Sequence, residues 1–249
     1  MVQQSEGKMF LASDRGRSEQ DWFRSYHTFN FGMYHQAHKK PFGPLYVLND
    51  DTLTGGSHFI HFVEEASYVV VLPTVGAIVY SDSAGNKMVA EAGEALMRTV
   101  PKGTTFELSN PYEQERISFI QLWFKHPHDK ETFSKVHHCC FDLDKNKNGL
   151  IPLLASQPGA ALQHAGVHKI EIGMFSGRQE VMYTTAKPEN GVFVFVLEGA
   201  FEVQYRMLER RDGLCLWDIR EIEIEAHSED AILLIIELAL TERAITGFC

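Results

Sequence analysis

The strictest regularity in the chain is an alternation of period two. Glu221–Ala226 reads EIEIEA, so Ile222 and Ile224 point to one face and the glutamates to the other. Successive side chains alternate faces in an extended strand, whereas a helix would spread the same residues around its axis. The pattern also governs Phe201, Val203 and Tyr205, which alternate with Glu202, Gln204 and Arg206. These follow a bend at Gly199 and Ala200 that closes the strand carrying Phe193, Phe195 and Leu197. Tyr68–Leu72 and Ile117–Phe124 are dense apolar runs of strand length. Ala231–Leu240 is a third, too short to span a bilayer and interrupted by Glu237. Turns such as Asp82–Asn86 recur between these runs, and together they specify an all-β chain.

The two halves repeat this texture. Each has a strand, a glycine, a short return strand, a turn and a final apolar strand. The expected organisation is two tandem β-barrel domains, residues 1–125 and 150–249. The charged segment 126–149 is the expected linker, with a short helix near Asp129–Val136. With 249 residues and 44% hydrophobic content, both halves can bury a core. A formal net charge of −10 excludes nucleic acid and anionic membrane surfaces as expected partners. The opening MVQQSEGKMF lacks the apolar stretch of a signal peptide, and four irregularly spaced cysteines make no disulfide framework. The expected compartment is the cytoplasm.

Pro101–Asn110, PKGTTFELSN, resembles the second cupin motif, P-x-G-x-x-H-x-x-x-N, at Pro101, Gly103 and Asn110; the motif histidine is Phe106 here. Trp22–Tyr34, preceded by Arg15-Gly16, and Phe42–Asp51 (FGPLYVLNDD) resemble the N-terminal signature of the pirin family. Asp82–Asn86, Ala92–Leu96 and Gln121–Trp123 extend the likeness through the first half. Asp144–Ser156 and Gly191–Val203 resemble the second pirin cupin more loosely. The resemblance implies a bicupin of two tandem jelly-roll barrels. It implies one mononuclear metal, usually iron, in the first barrel, held by a His-x-His pair and a later His-x-Glu pair. Some members degrade quercetin with dioxygen and some act as nuclear cofactors. The AGEAL and QLW stretches suit the metal-less, YhaK-type bacterial branch.

Such pairs span two residues because i and i+2 on a strand present two donors to one point. Counting from Pro101, Gly103 and Asn110 puts the His-x-Glu pair on Phe106 and Leu108. Counting back from Gly76 puts the His-x-His pair on Phe62 and Glu64. Three of these four residues are hydrocarbon, so neither a catalytic residue nor a bound metal is expected. Phe62, Phe106 and Leu108 then either fill the barrel as core or line a pocket for a small apolar or aromatic ligand. A rearranged iron or other divalent-metal centre would draw on His58, His61, Glu64, Glu65 and Glu107 through a strand bulge. On a regular strand His61 and Glu65 share a face but lie about 13 Å apart, too far for one ion with bonds of ~2 Å.

HHCC, His137–Cys140, looks like a metal cluster. Four consecutive residues cannot all face one ion, and adding His126 and His128 matches no zinc-finger spacing, so surface linker residues are expected. Cys139, Cys140 and Cys249 are redox candidates wherever they are exposed; Cys215, within LCLW, is expected to be buried. DKNKNG, Asp144–Gly149, mimics the start of a calcium loop, but the twelfth position is Ala155 rather than Glu, and the stretch reads as a turn. His27 is either a general base or a hydrogen-bonded structural histidine. The expectation is a monomeric pirin-like bicupin that binds a small molecule or responds to redox stress. A quercetin 2,3-dioxygenase with a rearranged site and a protein-interaction module are the alternatives.

Overall fold

The computed structural model describes residues 5–126, 135–154 and 166–240. These separate into two compact units. One holds Gly16–Pro41 with Leu45–Phe141; the other holds the residues before Gly16, Phe42–Pro44 and those from Asp142 onward.

The Gly16–Phe141 unit is built from two antiparallel sheets. The larger runs in the order β12 (His137–Cys140), β9 (Glu94–Val100), β6 (Ser67–Val75), β11 (Ile117–Lys125), β4 (Leu45–Leu53), β3 (Phe23–His27) and β2 (Gly16–Gln20). The smaller runs β5 (His58–Phe62), β10 (Thr105–Ser109), β7 (Ala77–Asp82) and β8 (Lys87–Glu91). Leu53, Val69, Val71, Ile117 and Phe119 of the larger sheet pack against Ile78, Tyr80, Phe106 and Leu108 of the smaller. The central strands of both sheets give alternate residues to this shared interior, so the unit is a two-sheet, jelly-roll-like barrel with its core between the sheets.

The second unit repeats the plan. Its larger sheet runs β1 (Gly7–Phe10), β19 (Gly213–Leu216), β16 (Asn190–Glu198), β21 (Ala231–Ala239), β14 (Val167–Phe175) and β13 (Gly149–Leu154). Its smaller sheet runs β15 (Glu180–Thr184), β20 (Glu221–Ala226), β17 (Phe201–Val203) and β18 (Arg206–Leu208). The EIEIEA stretch is β20, with Ile222 and Ile224 buried in the core. The alternation stops earlier than its sequence implies. Gln204 and Tyr205 adopt left-handed backbone (φ 47° and 60°) in the turn between β17 and β18, so Tyr205 is exposed rather than inward-facing.

The segment expected to be a linker also contributes structure. His137–Cys140 is an edge strand paired with β9, and β1 pairs with β19 of the second unit. Neither short strand carries a clear apolar alternation, because an edge is held by backbone pairing and has little core to face. Most of the expected helix, residues 129–134, lies outside the described residues.

The Pro101–Asn110 motif has a local physical basis. Gly103 takes φ +75° in the turn before β10 and donates its N–H to Val63 O at 2.8 Å. Asn110 ends that strand: its Nδ2 donates to the carbonyls of Leu53, Thr54 and Glu115, and its Oδ1 accepts from Tyr112 N. These two pins fix the register of β10, and so decide which side chains enter the barrel.

Candidate functional site

Along β5 the side chains alternate between solvent and core. His58, Ile60 and Phe62 face out, His61 is buried, and Phe59 packs against the core. Phe62 is 60% exposed, and Glu64 is exposed as well. This corrects the expectation that Phe62 lines the barrel. The count back from Gly76 fails because β6 is bulged: Ser118 pairs with Val75 but Phe119 with Pro73, which skips Thr74. One extra residue flips the alternation within β6, and residues 63–66 between β5 and β6 are not strand, so no fixed alternation carries back to β5, whose faces are set by its pairing with β10. Phe106 and Leu108 do enter the barrel, and both are fully buried.

β5 and β10 pair so that Phe106 lies opposite His61 and Leu108 opposite Phe59. The two inward-facing i, i+2 pairs are therefore Phe59/His61 and Phe106/Leu108. Of these four side chains, His61 alone carries a metal-ligating atom, so they do not match a His-x-His plus His-x-Glu donor set. The donors considered for a rearranged centre do not gather around His61 either. His58, Glu64 and Glu65 are exposed, Glu65 pairs with Lys125 at 3.0 Å, and Glu107 lies opposite the outward-facing Ile60.

His61 sits in an aromatic cage. Its ring centroid is 4.5 Å from Phe59, 4.9 Å from Phe106 and 5.1 Å from Trp123. Its Nε2 is 3.0 Å from the amide nitrogen of Gln121. That amide also donates to Asp51 Oδ2, while Gln121 Oε1 accepts from Trp123 Nε1 at 3.0 Å. An amide nitrogen can only donate, so His61 Nε2 accepts and the ring carries its proton on Nδ1. Burial drives the imidazole pKa from 6.5 down to about 3, which leaves the ring neutral at physiological pH.

A second polar group lies in the neighbouring strands. His27 is buried, with Nε2 2.8 Å from Ser18 Oγ and Nδ1 3.0 Å from Asn49 Oδ1. With both ring nitrogens engaged, His27 has the surroundings of a hydrogen-bonded structural histidine. Asp82 and Arg98 form a buried ion pair at 2.7 Å. In the second unit the buried Glu237 accepts from Tyr183 Oη at 2.8 Å and from Ala186 N at 2.7 Å. Sequence reasoning missed Asn49, Asp51 and Gln121 as interior groups. The available signal was a pair of polar residues two apart inside an apolar strand, Asn49 and Asp51 within FGPLYVLNDD.

Cys215 is buried as expected, and its thiol pKa is pushed up to about 12 by burial. Cys140 is exposed and Cys139 half-buried; both thiols are raised, Cys139 by desolvation and then by Cys140, Cys140 by desolvation and then by Glu94. That direction is opposite to the thiolate character a reactive cysteine needs. Cys249 lies outside the described residues. Among the described residues, one group of three metal-ligating side chains converges, Glu94, His138 and Cys140 at the β9–β12 edge.

Two cupin barrels in one chain define a bicupin. Residues 11–124 match the Pirin family and residues 156–238 match the quercetinase C-terminal cupin domain. The chain belongs to the pirin family. Quercetin 2,3-dioxygenase of Escherichia coli K12 is 26% identical over 223 residues, covering 90% of this chain and 95% of its own length. Pirin-like protein YhaK of the same organism is 29% identical over 108 residues, 43% of this chain and 46% of its own. The crystal structure of the bacterial pirin YhhW from E. coli in complex with nickel(II) superposes with a TM-score of 0.81 at 24% identity, covering 95% of this chain and 100% of that one. Among the described residues no helix is long and apolar enough to cross a membrane.

Proposed function

We propose that this chain is a pirin-family bicupin whose first barrel does not carry metal-dependent dioxygenase chemistry, and that it acts in the cytoplasm as a binding or regulatory protein. One observation carries the reading: Phe106 occupies the position opposite His61 and stacks on its ring. A non-haem oxygenase centre takes about three protein donors and keeps coordination positions open. Here the four inward positions supply one donor, and Gln121 already engages its Nε2 lone pair. Among the described residues, the inward positions around His61 are occupied by buried side chains, Phe106, Leu108 and Trp123 among them. The cavity beside Tyr80, Leu96 and Arg98 measures about 10 Å³, room for one water. A flat aromatic ligand needs roughly 300 Å³ or more. External binding fits better: a groove of about 430 Å³ on the β15–β20–β17 sheet is lined by Met182, Tyr205, Glu180, Glu202, Glu223 and Glu225.

The test is dioxygen consumption with quercetin after supplying iron(II) or nickel(II). The reading predicts no uptake above the metal-only rate. Turnover that disappears in His61→Ala would overturn it.

A second reading is a quercetin 2,3-dioxygenase with a rearranged centre. The relative of that name, matching 90% of the chain, favours it. His61 would then be the first donor, with Asp51 and Gln121 the nearest further oxygen donors of its hydrogen-bonded group.

A further inference from the structure

We propose that Glu94, His138 and Cys140 form a binding site for a borderline-soft divalent cation, Zn²⁺ by its donor chemistry, at the open edge of the larger sheet of the first unit. The HHCC run cannot turn four side chains to one ion, but strand pairing selects two of them. His138 and Cys140 are two apart on β12 and point the same way. Pairing with β9 places Cys140 directly opposite Glu94. The turn before Glu94 fixes this register: Gly93 takes φ +92°, and its carbonyl accepts the Phe141 N–H at 2.8 Å, just beyond Cys140.

The three donors already converge. His138 Nε2 is 3.1 Å from Glu94 Oε2, and Cys140 Sγ is 3.5 Å from Glu94 Oε1. All three ligating atoms lie within 4.8 Å of one another. In a tetrahedral site with bonds of about 2.0–2.3 Å the ligand atoms sit roughly 3.3–3.8 Å apart, so side-chain rotation alone closes the geometry. The donors are nitrogen, sulfur and a carboxylate, a set that suits Zn²⁺ or Co²⁺ and disfavours Mg²⁺ and Ca²⁺, which take oxygen ligands. The side chains of His138 and Glu94 are 31% and 27% exposed, so water has access to the fourth position. On binding, the Cys140 S–H bond breaks, the proton leaves to solvent and a sulfur–metal bond forms; no electron is transferred. Glu94 enters as a carboxylate and His138 through its neutral Nε2, so thiolate, carboxylate and dication sum to zero charge. The ion would cross-link the edge strand β12 to β9. This site lies on the outer edge of the sheet, is independent of His61, and uses neither the barrel interior nor Cys139.

The experiment is a Co²⁺ titration of the full chain after chelator treatment, followed by displacement with Zn²⁺. Wild type should bind one equivalent, with a thiolate-to-cobalt charge-transfer band that Zn²⁺ abolishes. Cys140→Ser should lose the band, and His138→Ala and Glu94→Gln should bind at least roughly tenfold more weakly. Cys139→Ser and His61→Ala should behave as wild type. Absence of the band in wild type, its survival in Cys140→Ser, or its loss in Cys139→Ser would each overturn the proposal.

Discussion

Phe106 and His61 are register partners across β10 and β5, and their rings stack with centroids 4.9 Å apart. The relation ties three levels together. The Gly103 turn and the Asn110 strand end fix β10, the register puts a phenyl ring opposite the one inward histidine, and that ring fills the space in which further donors would stand. Tyr80 also stacks on Phe106, with centroids 5.5 Å apart, and Trp123 packs against it at a tilt, 5.4 Å away.

Truncating that ring should be costly. Phe106→Ala removes a fully buried phenyl from between His61, Tyr80 and Trp123. The expected loss is about 3–5 kcal/mol, because a packed β-core closes such a cavity only partly. Chemical denaturation of the variant checks this; a loss below about 1 kcal/mol would mean the ring is not packed as described.

Gln121 joins three buried side chains through one amide. Gln121→Leu keeps the volume but withdraws the hydrogen bonds to His61, Asp51 and Trp123. A destabilisation of roughly 2–4 kcal/mol is expected, since polar groups would be left under-partnered in the interior. A variant as stable as wild type would show that the amide is not the hub of the group.

His61 should make stability pH-dependent. Its pKa is 6.5 when unfolded and about 3 when buried, so between these values the unfolded chain binds a proton that the native protein does not. Stability from this group is therefore complete above about pH 6.5 and falls as pH drops toward 3, by at most about 5 kcal/mol. His61→Leu should flatten the stability–pH curve across that window. An unchanged slope in the variant would assign the acid sensitivity to other groups.

Restoring donors should restore a centre. Phe59→His, Phe106→His and Leu108→Glu together surround His61 with a His-x-His and His-x-Glu arrangement at the inward positions of β5 and β10. Elemental analysis should show about one added metal per chain, because four donors then converge on one point. A triple variant that folds but gains no metal would mean the four positions do not converge as the register implies.

Much of the fold was legible in the sequence because strand alternation and turn residues carry it. EIEIEA became β20, and Ile117–Phe124 falls within β11. The site was legible only on β10, where Gly103 and Asn110 anchor the count. On β5 the count runs across the bulge at Thr74 and the non-strand residues 63–66, neither of which leaves a mark in composition, so Phe62 reads as inward in place of His61. The edge strand β12 was read as linker because four polar or thiol-bearing residues show no apolar face. The polar interior of Asn49, Asp51 and Gln121 was obscured by the apolar runs that surround it.

That the interior of the first barrel, around His61, binds no metal is tested most directly in a Cys140→Ser protein, where the β9–β12 edge cannot contribute a thiolate. After anaerobic loading with iron(II) and removal of loose ions, the account predicts far less than one iron per chain, with no difference between this protein and its His61→Ala derivative. One iron per chain, lost on His61→Ala, would contradict it.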